Sequence, residues 1–454
     1  MPMIFKFRGG AKVPHHKHET ADRPIEALPM PSRLYVHLQQ HMGAAAKPVV
    51  NVGDLVKKGQ LIGEASAFVS VPVHAPTSAR VVAVRSWPHP TLGQGVAIEL
   101  APDGKDSWLD GLPAQRDFRT MTPDELRTCI KDGGLVGLGG ATFPTHVKLT
   151  PPKGSQVTTV ILNGAECEPY LTSDDALMRT RADDVVTGLE IILKVLGASE
   201  SYIGIEDNKP EAIAALTEAA KRIPGCRVVA LPAHYPQGAE RSIIKGILGK
   251  WLPAGKLPLA LGIVVQNVTT AACIADAVNR GIPLLERIVT VAGSSVKQPK
   301  NVRTPIGATF ADLLAFCGGT SSDLARLVAG GPMMGAAQSN AEAAVVKATG
   351  GLLGLSKRDT AKAPVGPCIR CGSCIEACPM GLAPLDFPTF VRERAWSKAR
   401  DARALQCVEC GSCEYVCPAS RPIVHSVRVV KKALADADAA AKVAAAASAA
   451  KTPA

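Results

Sequence analysis

Two matched cysteine runs near the carboxyl end constrain this chain of 454 residues more than any other feature. The runs read CIRCGSCIEACP at 368–379 and CVECGSCEYVCP at 407–418, both with the spacing C-x2-C-x2-C-x3-C-P. Three cysteines at this spacing can reach three irons of a [4Fe–4S] cube, and the fourth ligates the neighbouring cluster. The spacing predicts one cluster on Cys368, Cys371, Cys374 and Cys417, and a second on Cys407, Cys410, Cys413 and Cys378.

Two other uses of these cysteines are less consistent with the pattern. Structural zinc sites also take four cysteines, but two complete runs, each with a trailing proline, favour clusters. A disulfide framework is disfavoured because the chain is large and shows no secretory signal. The remaining five cysteines are scattered, and we interpret them as free thiols in a reducing compartment: Cys129, Cys167, Cys226, Cys273 and Cys317.

Composition and charge narrow the class of partner. Aromatic residues make up only 4% of the chain, so few side chains could stack on the bases of a nucleic acid. We therefore expect no nucleic-acid partner. No apolar stretch reaches the ~20 residues that a membrane-spanning helix needs. The net charge of +11 favours docking onto a membrane-bound assembly or onto acidic electron carriers.

The sequence pattern divides the chain into five regions, and the predicted fold is a multidomain α/β plus α+β protein. Residues 1–110 contain short strands with turn signals, and 120–265 alternate strands and helices, which predicts a mostly parallel sheet. Residues 266–345 read as a small α+β module and 360–430 as a helical two-cluster domain. Residues 431–454 form an alanine-rich tail.

The first region resembles a biotinyl/lipoyl-type barrel. VGDLVKKGQLIGEA and VHAPTSARVVAV are similar to the two halves of such a barrel. In carrier versions a lysine at the hairpin tip bears the cofactor, but the tip here, ASAFVS at 65–70, has none. We therefore expect a docking or structural module without covalent biotin or lipoate.

Three stretches of the α/β region are candidates for a nucleotide site. GGLVGLGGATFPTHVK at 133–148 is dense in glycine, which lets backbone N–H groups approach a phosphate or a flat ring. LNGAECEPYLTSDDAL at 162–177 follows a buried strand and carries Glu166 and Glu168 at the carboxyl edge of the sheet. HYPQGAERSIIKGIL at 234–248 is a loop that leads into a helix, whose N-terminus favours an anion. A plain tight turn is the alternative for the first stretch taken alone, and a solvated loop face is the alternative for the acid pair of the second.

Together these stretches resemble the C subunit of the Rnf (Rsx) electron-transport complex, which is related to the FMN- and NADH-binding subunit of respiratory complex I. The resemblance rests on GLGGATFPTHVK, NGAECEPYLTSDDALM, YPQGAERSII, VVQNVTTAACIADAV and the two cysteine runs. FRGGAKVPHHK and HMGAAAKPVVNVGDLVKKGQLI at the amino end also match, so the resemblance covers about residues 4–430.

The resemblance implies a barrel-sandwich hybrid in 1–110, a Rossmann-like FMN/NADH domain in 120–265, a soluble-ligand-binding β-grasp module in 266–345 and a ferredoxin-like two-cluster domain in 360–430. It also implies non-covalent FMN, NADH as substrate and two [4Fe–4S] clusters. The implied FMN positions are Gly137, Gly139, Gly140, Lys148, Asn163, Glu166, Gly238, Glu240, Asn267 and Thr270, and the implied nicotinamide-nucleotide position is Glu168.

Two positions depart from the complex I pattern. Leu138 stands where the first loop of complex I has an arginine, and Ala239 replaces the first of two acids in the second loop. Both departures bear on the contacts to the nicotinamide nucleotide more than on those to FMN.

The implied function is electron input from NADH, through FMN and the two clusters, toward ferredoxin or flavodoxin, with ions moved by other subunits. No protein side chain is expected as a general base, because the flavin performs the hydride chemistry. The implied partners are the other Rnf subunits, especially a ferredoxin-like cluster subunit, at the cytoplasmic face of the bacterial inner membrane. Two alternatives remain open at this point: a cobalamin reductase of similar architecture, and a relay of electrons between proteins without enzymatic activity.

Overall fold

The computed structural model describes residues 5–253, 255–361 and 363–449, with side chains described as far as Val443. Within these ranges no helix is both long enough and apolar enough to cross a membrane. The end of the alanine-rich tail, residues 450–454, lies outside the described residues.

The strands assemble into four sheets. The strands are β1 (Ile25–Ala27), β2 (Leu34–His37), β3 (Lys47–Pro48), β4 (Leu55–Val56), β5 (Leu61–Glu64), β6 (Val73–His74), β7 (Ala79–His89), β8 (Gly93–Pro102), β9 (Thr159–Gly164), β10 (Glu200–Glu206), β11 (Arg227–Leu231), β12 (Ile263–Asn267), β13 (Glu286–Ala292), β14 (Lys300–Pro305), β15 (Leu324–Ala329), β16 (Ala336–Gln338) and β17 (Gly351–Ser356).

The helices cover the sheets and build the carboxyl-terminal region. They are α1 (Pro123–Asp132), α2 (Thr145–Lys148), α3 (Ser173–Thr180), α4 (Ala182–Leu196), α5 (Pro210–Ala220), α6 (Glu240–Leu248), α7 (Val268–Asn279), α8 (Phe310–Phe316), α9 (Lys357–Thr360), α10 (Ser373–Glu376), α11 (Phe387–Arg392), α12 (Trp396–Asp401), α13 (Ser412–Tyr415) and α14 (Ile423–Ala449).

The amino-terminal region is built from two small antiparallel sheets. One has the order β2-β8-β7-β4 and the other β3-β5-β6. Val36, Ile62 and Ile98 come from both sheets and are fully buried in one shared core, so the region folds as a sandwich. The tip between β5 and β6 contains Phe68, which is exposed, and no lysine.

The α/β region has the parallel sheet that its alternating pattern predicts, with the order β11-β10-β9-β12. Alternate residues of a strand point to opposite faces, so both faces of this sheet are buried. Ile161 packs against Ile243 of α6 on one side, whereas Val160 lies in the core that α1, α4, α5 and α7 complete on the other. Helix α1 begins after Thr122, which forms a capping box with Glu125.

A mixed sheet with the order β1-β14-β13-β17-β15-β16 forms the third region. Strand β1 reaches it from the amino end and pairs in parallel with β14, Ile25 opposite Asn301. Strand β17 lies beyond the predicted limit at 345. Strand β12 of the parallel sheet crosses the predicted limit at 265, and α7, which lies beyond that limit, packs against this sheet. Sheet partnership, which the sequence pattern does not reveal, causes both differences.

The cluster region consists of short helices held together by α14. Phe387 of α11 and Val427, Val430 and Leu434 of α14 are buried in its small core. Helix α14 extends into the alanine-rich tail as far as Ala449.

Candidate functional site

The two cysteine runs surround two cavities. One, the outer cavity, is lined by Cys368, Cys371, Cys374 and Cys417. The other, the inner cavity, is lined by Cys378, Cys407, Cys410 and Cys413. Each cavity takes three cysteines from one run and the fourth from the other, and these are the two sets of four that the spacing predicts.

The loops that carry the cysteines turn at glycines. Gly372 and Gly411 both have φ 81°, and each is the residue before a short helix of the cluster region. A side chain is disfavoured in this left-handed conformation. Backbone conformation therefore accounts for both glycines.

The chemistry of the donors fits an iron–sulfur cluster. Among the described residues, no three His, Cys, Asp or Glu side chains could hold a single metal ion. The cysteines instead surround a space, which suits a cube with its irons apart. Burial raises the pKa of Cys407 to about 11, so ligation must displace a proton, which the charge of the bound irons favours.

The glycine loop lies over the N-terminus of α7. The Leu138 N–H donates to Thr270 Oγ1 at 2.9 Å. Asn267 is the N-cap, and its side-chain oxygen accepts from the N–H groups of Thr269 at 2.9 Å and Thr270 at 3.2 Å. A Cβ on Gly139 would lie 3.3 Å from the Cβ of Asn267, so this loop and the helix end form one surface.

Two glycines of this loop have no packing reason to be glycine. A Cβ on Gly137 would meet nothing closer than 3.8 Å, and one on Gly140 would meet nothing within 4 Å. Gly140 still needs its conformational freedom because its φ is 115°, but Gly137 does not have a positive φ. An open face beside a helix N-terminus fits a planar ring that carries a phosphate, as in FMN.

The other predicted positions meet across the carboxyl edge of the parallel sheet. Asn163 on β9 donates from Nδ2 to the carbonyl oxygen of Gly238 at 2.8 Å. Lys148 at the end of α2 forms an ion pair with Glu240 at the start of α6, with 2.6 Å between Nζ and Oε1. The structure therefore brings the first and second loops together, as a nucleotide site requires.

The carboxylates of Glu166 and Glu168 are turned into the protein. Glu166 accepts from the N–H groups of Asp174 at 2.7 Å and Asp175 at 3.3 Å at the start of α3. Glu168 accepts from the N–H groups of Met333 at 3.0 Å and Met334 at 2.8 Å. The carboxylate oxygens of both residues therefore already have partners inside the protein. The predicted contacts of Glu166 with FMN and of Glu168 with NADH stay predictions.

Burial determines the protonation of this acid pair. It raises the pKa of Glu168 to about 7, although the N–H groups of Met333 and Met334 oppose the shift. Burial likewise raises the pKa of Glu166, against the attraction of Lys17. Removing a carboxylate from water disfavours its charged form, and these opposing contacts reduce that effect without abolishing it.

Four contributors to the site were missed at the sequence level. Lys17 donates to the carbonyl oxygens of Glu166 at 2.8 Å and Glu168 at 3.1 Å, and also to that of Leu171. Lys209 donates to the Ala165 carbonyl oxygen at 2.7 Å. The carboxylate of Asp174 accepts from the side chains of Asn267 and Thr269. The hydroxyl of Tyr235 donates to the Cys410 carbonyl oxygen. Most of these contacts join residues far apart in sequence, and no local motif marks them.

Family models match four consecutive parts of the chain. The RnfC barrel sandwich hybrid domain matches residues 5–105 and the Nuo51 FMN-binding domain residues 130–276. The SLBB domain matches residues 288–337 and the 4Fe-4S dicluster domain residues 367–420. These matches confirm the predicted fold class and its order of domains.

Curated relatives match over nearly the full length. The C subunit of the proton-translocating ferredoxin:NAD(+) oxidoreductase complex of Clostridium ljungdahlii is 46% identical over 430 residues, 94% of each chain. The C subunit of the Na(+)-translocating complex of Acetobacterium woodii is 42% identical, covering 94% of this chain and 96% of that one. The C subunit of an ion-translocating oxidoreductase complex of Rhodobacter capsulatus is 42% identical, covering 95% and 84%.

A more distant likeness exists among solved structures. The structure of an NAD+-reducing [NiFe]-hydrogenase in the H2-reduced state aligns with a TM-score of 0.49 at 20% identity, covering 71% of this chain and 63% of that one. This likeness is too weak to support an argument about function.

Proposed function

The chain belongs to the family of C subunits of ion-translocating ferredoxin:NAD(+) oxidoreductase complexes, and from that premise we propose that it is the electron-input subunit of such a complex. It takes electrons from NADH through FMN and two [4Fe–4S] clusters toward ferredoxin or flavodoxin, in a direction that reverses with conditions. Other subunits of the complex move the ions.

The observation that carries this proposal is the contact between the flavin-site loops and the inner cavity. Tyr235 begins the second loop of the candidate flavin site, and its hydroxyl donates to the carbonyl oxygen of Cys410 at 2.6 Å. Cys410 lines the inner cavity. A nucleotide site and a cluster site that share a buried contact are suited to passing electrons between them.

In this proposal the side chains of the site bind FMN and orient it. When bound, FMN exchanges a hydride with NADH and single electrons with iron–sulfur clusters. The open face at Gly137 would hold the ring, and the N-terminus of α7, capped by Asn267, would favour the phosphate. Lys148 is paired with Glu240 and supplies a cation at the rim.

The outer cavity is suited to handing electrons to a partner. Cys368 and Cys371 are exposed, whereas Cys378 and Cys410 of the inner cavity are buried. An exposed cluster can approach a carrier closely, and the net charge of +11 favours an acidic one. We propose a ferredoxin-like cluster subunit of the complex as the immediate partner, with the chain peripheral at the cytoplasmic face of the inner membrane.

The test is anaerobic reconstitution with iron, sulfide and FMN, followed by addition of NADH and, in a parallel sample, NADPH. We expect NADH to bleach the flavin absorbance and to produce the EPR signals of reduced clusters. Flavin that binds but is not bleached by NADH would contradict electron input and favour a protein donor. A chain that binds clusters but no flavin would be a relay, and retained cobalamin would indicate a cobalamin reductase.

A further inference from the structure

Five segments of the chain meet in an apolar junction beside the inner cavity. Ala11, Val13, Tyr235 and Cys410 are buried together there. Partly buried apolar side chains pack against them: Cys167, Met333, Val408 and Val416. The junction thus joins the amino-terminal segment, the flavin-site loops after β9 and β11, the mixed-sheet region and the second cysteine run.

Tyr235 is the member of this junction that contacts the cluster loop through a hydrogen bond. Its side chain is only 2% exposed, and its hydroxyl lies 2.6 Å from the Cys410 carbonyl oxygen. Its own carbonyl oxygen accepts from the Ala11 N–H at 2.8 Å, which fixes the backbone from the other side. Three residues further on, Gly238 is bound by Asn163 of the flavin site.

Packing accounts for the ring of Tyr235 but not for its hydroxyl. A phenylalanine would fill the same apolar space, and a buried hydroxyl is unfavourable unless it has a partner. The hydroxyl has two partners here: the backbone carbonyl of Cys410, which lines the inner cavity, and the carboxylate of Glu168. Hydrogen bonds to the sulfurs tune the potential of a cluster, and outer-shell partners tune it by orienting the ligands. The Tyr235 hydroxyl acts in the second way, and its positive end, pointed at the backbone of a ligand cysteine, favours the additional negative charge of the reduced state.

We propose that Tyr235 is a positioning residue that sets the potential of the inner cluster relative to the outer one through its hydrogen bond to Cys410. The proposal deepens the proposed function and rests on it, since it concerns the cluster that receives electrons from the flavin. The hydroxyl holds the proton-donating end of its dipole toward the cluster loop, and so makes the inner cluster easier to reduce.

The experiment is an anaerobic redox titration of the reconstituted protein with dithionite, in which EPR follows each cluster. Tyr235→Phe is compared with Tyr415→Phe, a control in the same cysteine run whose side chain is 50% exposed. We expect Tyr235→Phe to shift the inner-cluster potential to a more negative value and to leave the outer one unchanged. Tyr415→Phe should shift neither. Equal shifts of both clusters, or none, would overturn the proposal.

A second variant tests the sign of the effect without removing the hydroxyl. Site-specific 3-fluorotyrosine at position 235 has a more acidic, stronger donor, so the inner-cluster potential should move in the positive direction. An unchanged or more negative potential would overturn the proposal. Because dithionite replaces NADH, the result is independent of the proposed function: a wild-type flavin that NADH fails to reduce refutes that function, whereas unmoved potentials refute the role of Tyr235.

Discussion

The cluster region and the flavin region of this molecule are built in opposite ways. The eight cysteines of the cluster region lie within 368–417, and their spacing predicts the two groups of four that line the two cavities. The flavin region draws on loops after β9, β11 and β12, on the glycine loop, and on Lys17 from the amino-terminal segment. The contrast teaches that the clusters depend on local sequence, whereas the flavin site depends on how distant segments are held together.

The largest effect that should separate the two regions comes from filling the open face of the glycine loop. Gly137→Val meets little resistance inside the protein but protrudes where a ring would lie. We expect FMN affinity to fall about tenfold or more, the equivalent of ~1.4 kcal/mol, with iron content unchanged. Fluorescence titration of FMN measures this change.

The matched control is Gly366→Val in the cluster region, where a Cβ would likewise meet nothing closer than 3.7 Å. It should leave FMN affinity at the wild-type value. An equal loss of affinity in both variants would mean that the effect is a general one on folding and that Gly137 does not face the flavin.

A smaller effect should follow from releasing the acidic loop. Lys17→Met removes the ammonium that binds the carbonyl oxygens of Glu166, Glu168 and Leu171. Unsatisfied buried carbonyls cost ~1–3 kcal/mol in the free protein as well as in the FMN complex. Only the part of this cost that displaces the loop changes FMN affinity, so we expect a several-fold loss of affinity with both cluster EPR signals intact. Lys12→Met, an exposed lysine of the same segment, is the control. Retained affinity in Lys17→Met would show that the loop does not need its support.

The smallest effect on the flavin site concerns a lysine at the junction of three regions, because its titration acts on the stability of the fold. Lys347 of the mixed-sheet region donates to the carbonyl oxygens of Pro72 in the barrel at 2.9 Å and Gly134 before the glycine loop at 2.6 Å. Burial lowers its pKa to about 7, and the neighbouring His74 has a pKa lowered to about 3 and stays neutral above that pH.

Between pH 7 and 10.5 the unfolded chain therefore binds more protons at position 347 than the folded one. Stability from this group rises with pH in that window, by up to ~1.4 kcal/mol per unit. Between pH 7 and 9 the melting temperature of the wild type should therefore rise relative to that of Lys347→Met, which differential scanning fluorimetry can measure. If the melting temperatures of the two proteins change equally with pH, Lys347 does not titrate between pH 7 and 9.

The sequence predicted what depends on local spacing and periodicity. Cysteine spacing and the alternation of strands and helices each act within a few residues or one supersecondary unit. The glycine loop was also found, because a run of glycines has a compositional signal, whereas Asn267 was named only through the family resemblance.

The rest depends on contacts between residues that no pattern connects. Strand β1 pairs with β14 across most of the chain, and Lys17 reaches a loop 149 residues away. The sequence indicates that Glu166 and Glu168 lie at a sheet edge, but not that their carboxylates turn inward to backbone N–H groups. Tertiary packing decides which way such a side chain points.

The central claim is that the inner cluster stands between the flavin and the outer cluster. Freeze-quench EPR after mixing with NADH tests it in two ligand variants, Cys371→Ser at the outer cavity and Cys410→Ser at the inner one. We predict that Cys371→Ser leaves the inner cluster reduced at the wild-type rate, and that Cys410→Ser leaves the outer cluster oxidised on that timescale. Reduction of the outer cluster at the wild-type rate in Cys410→Ser would contradict this account.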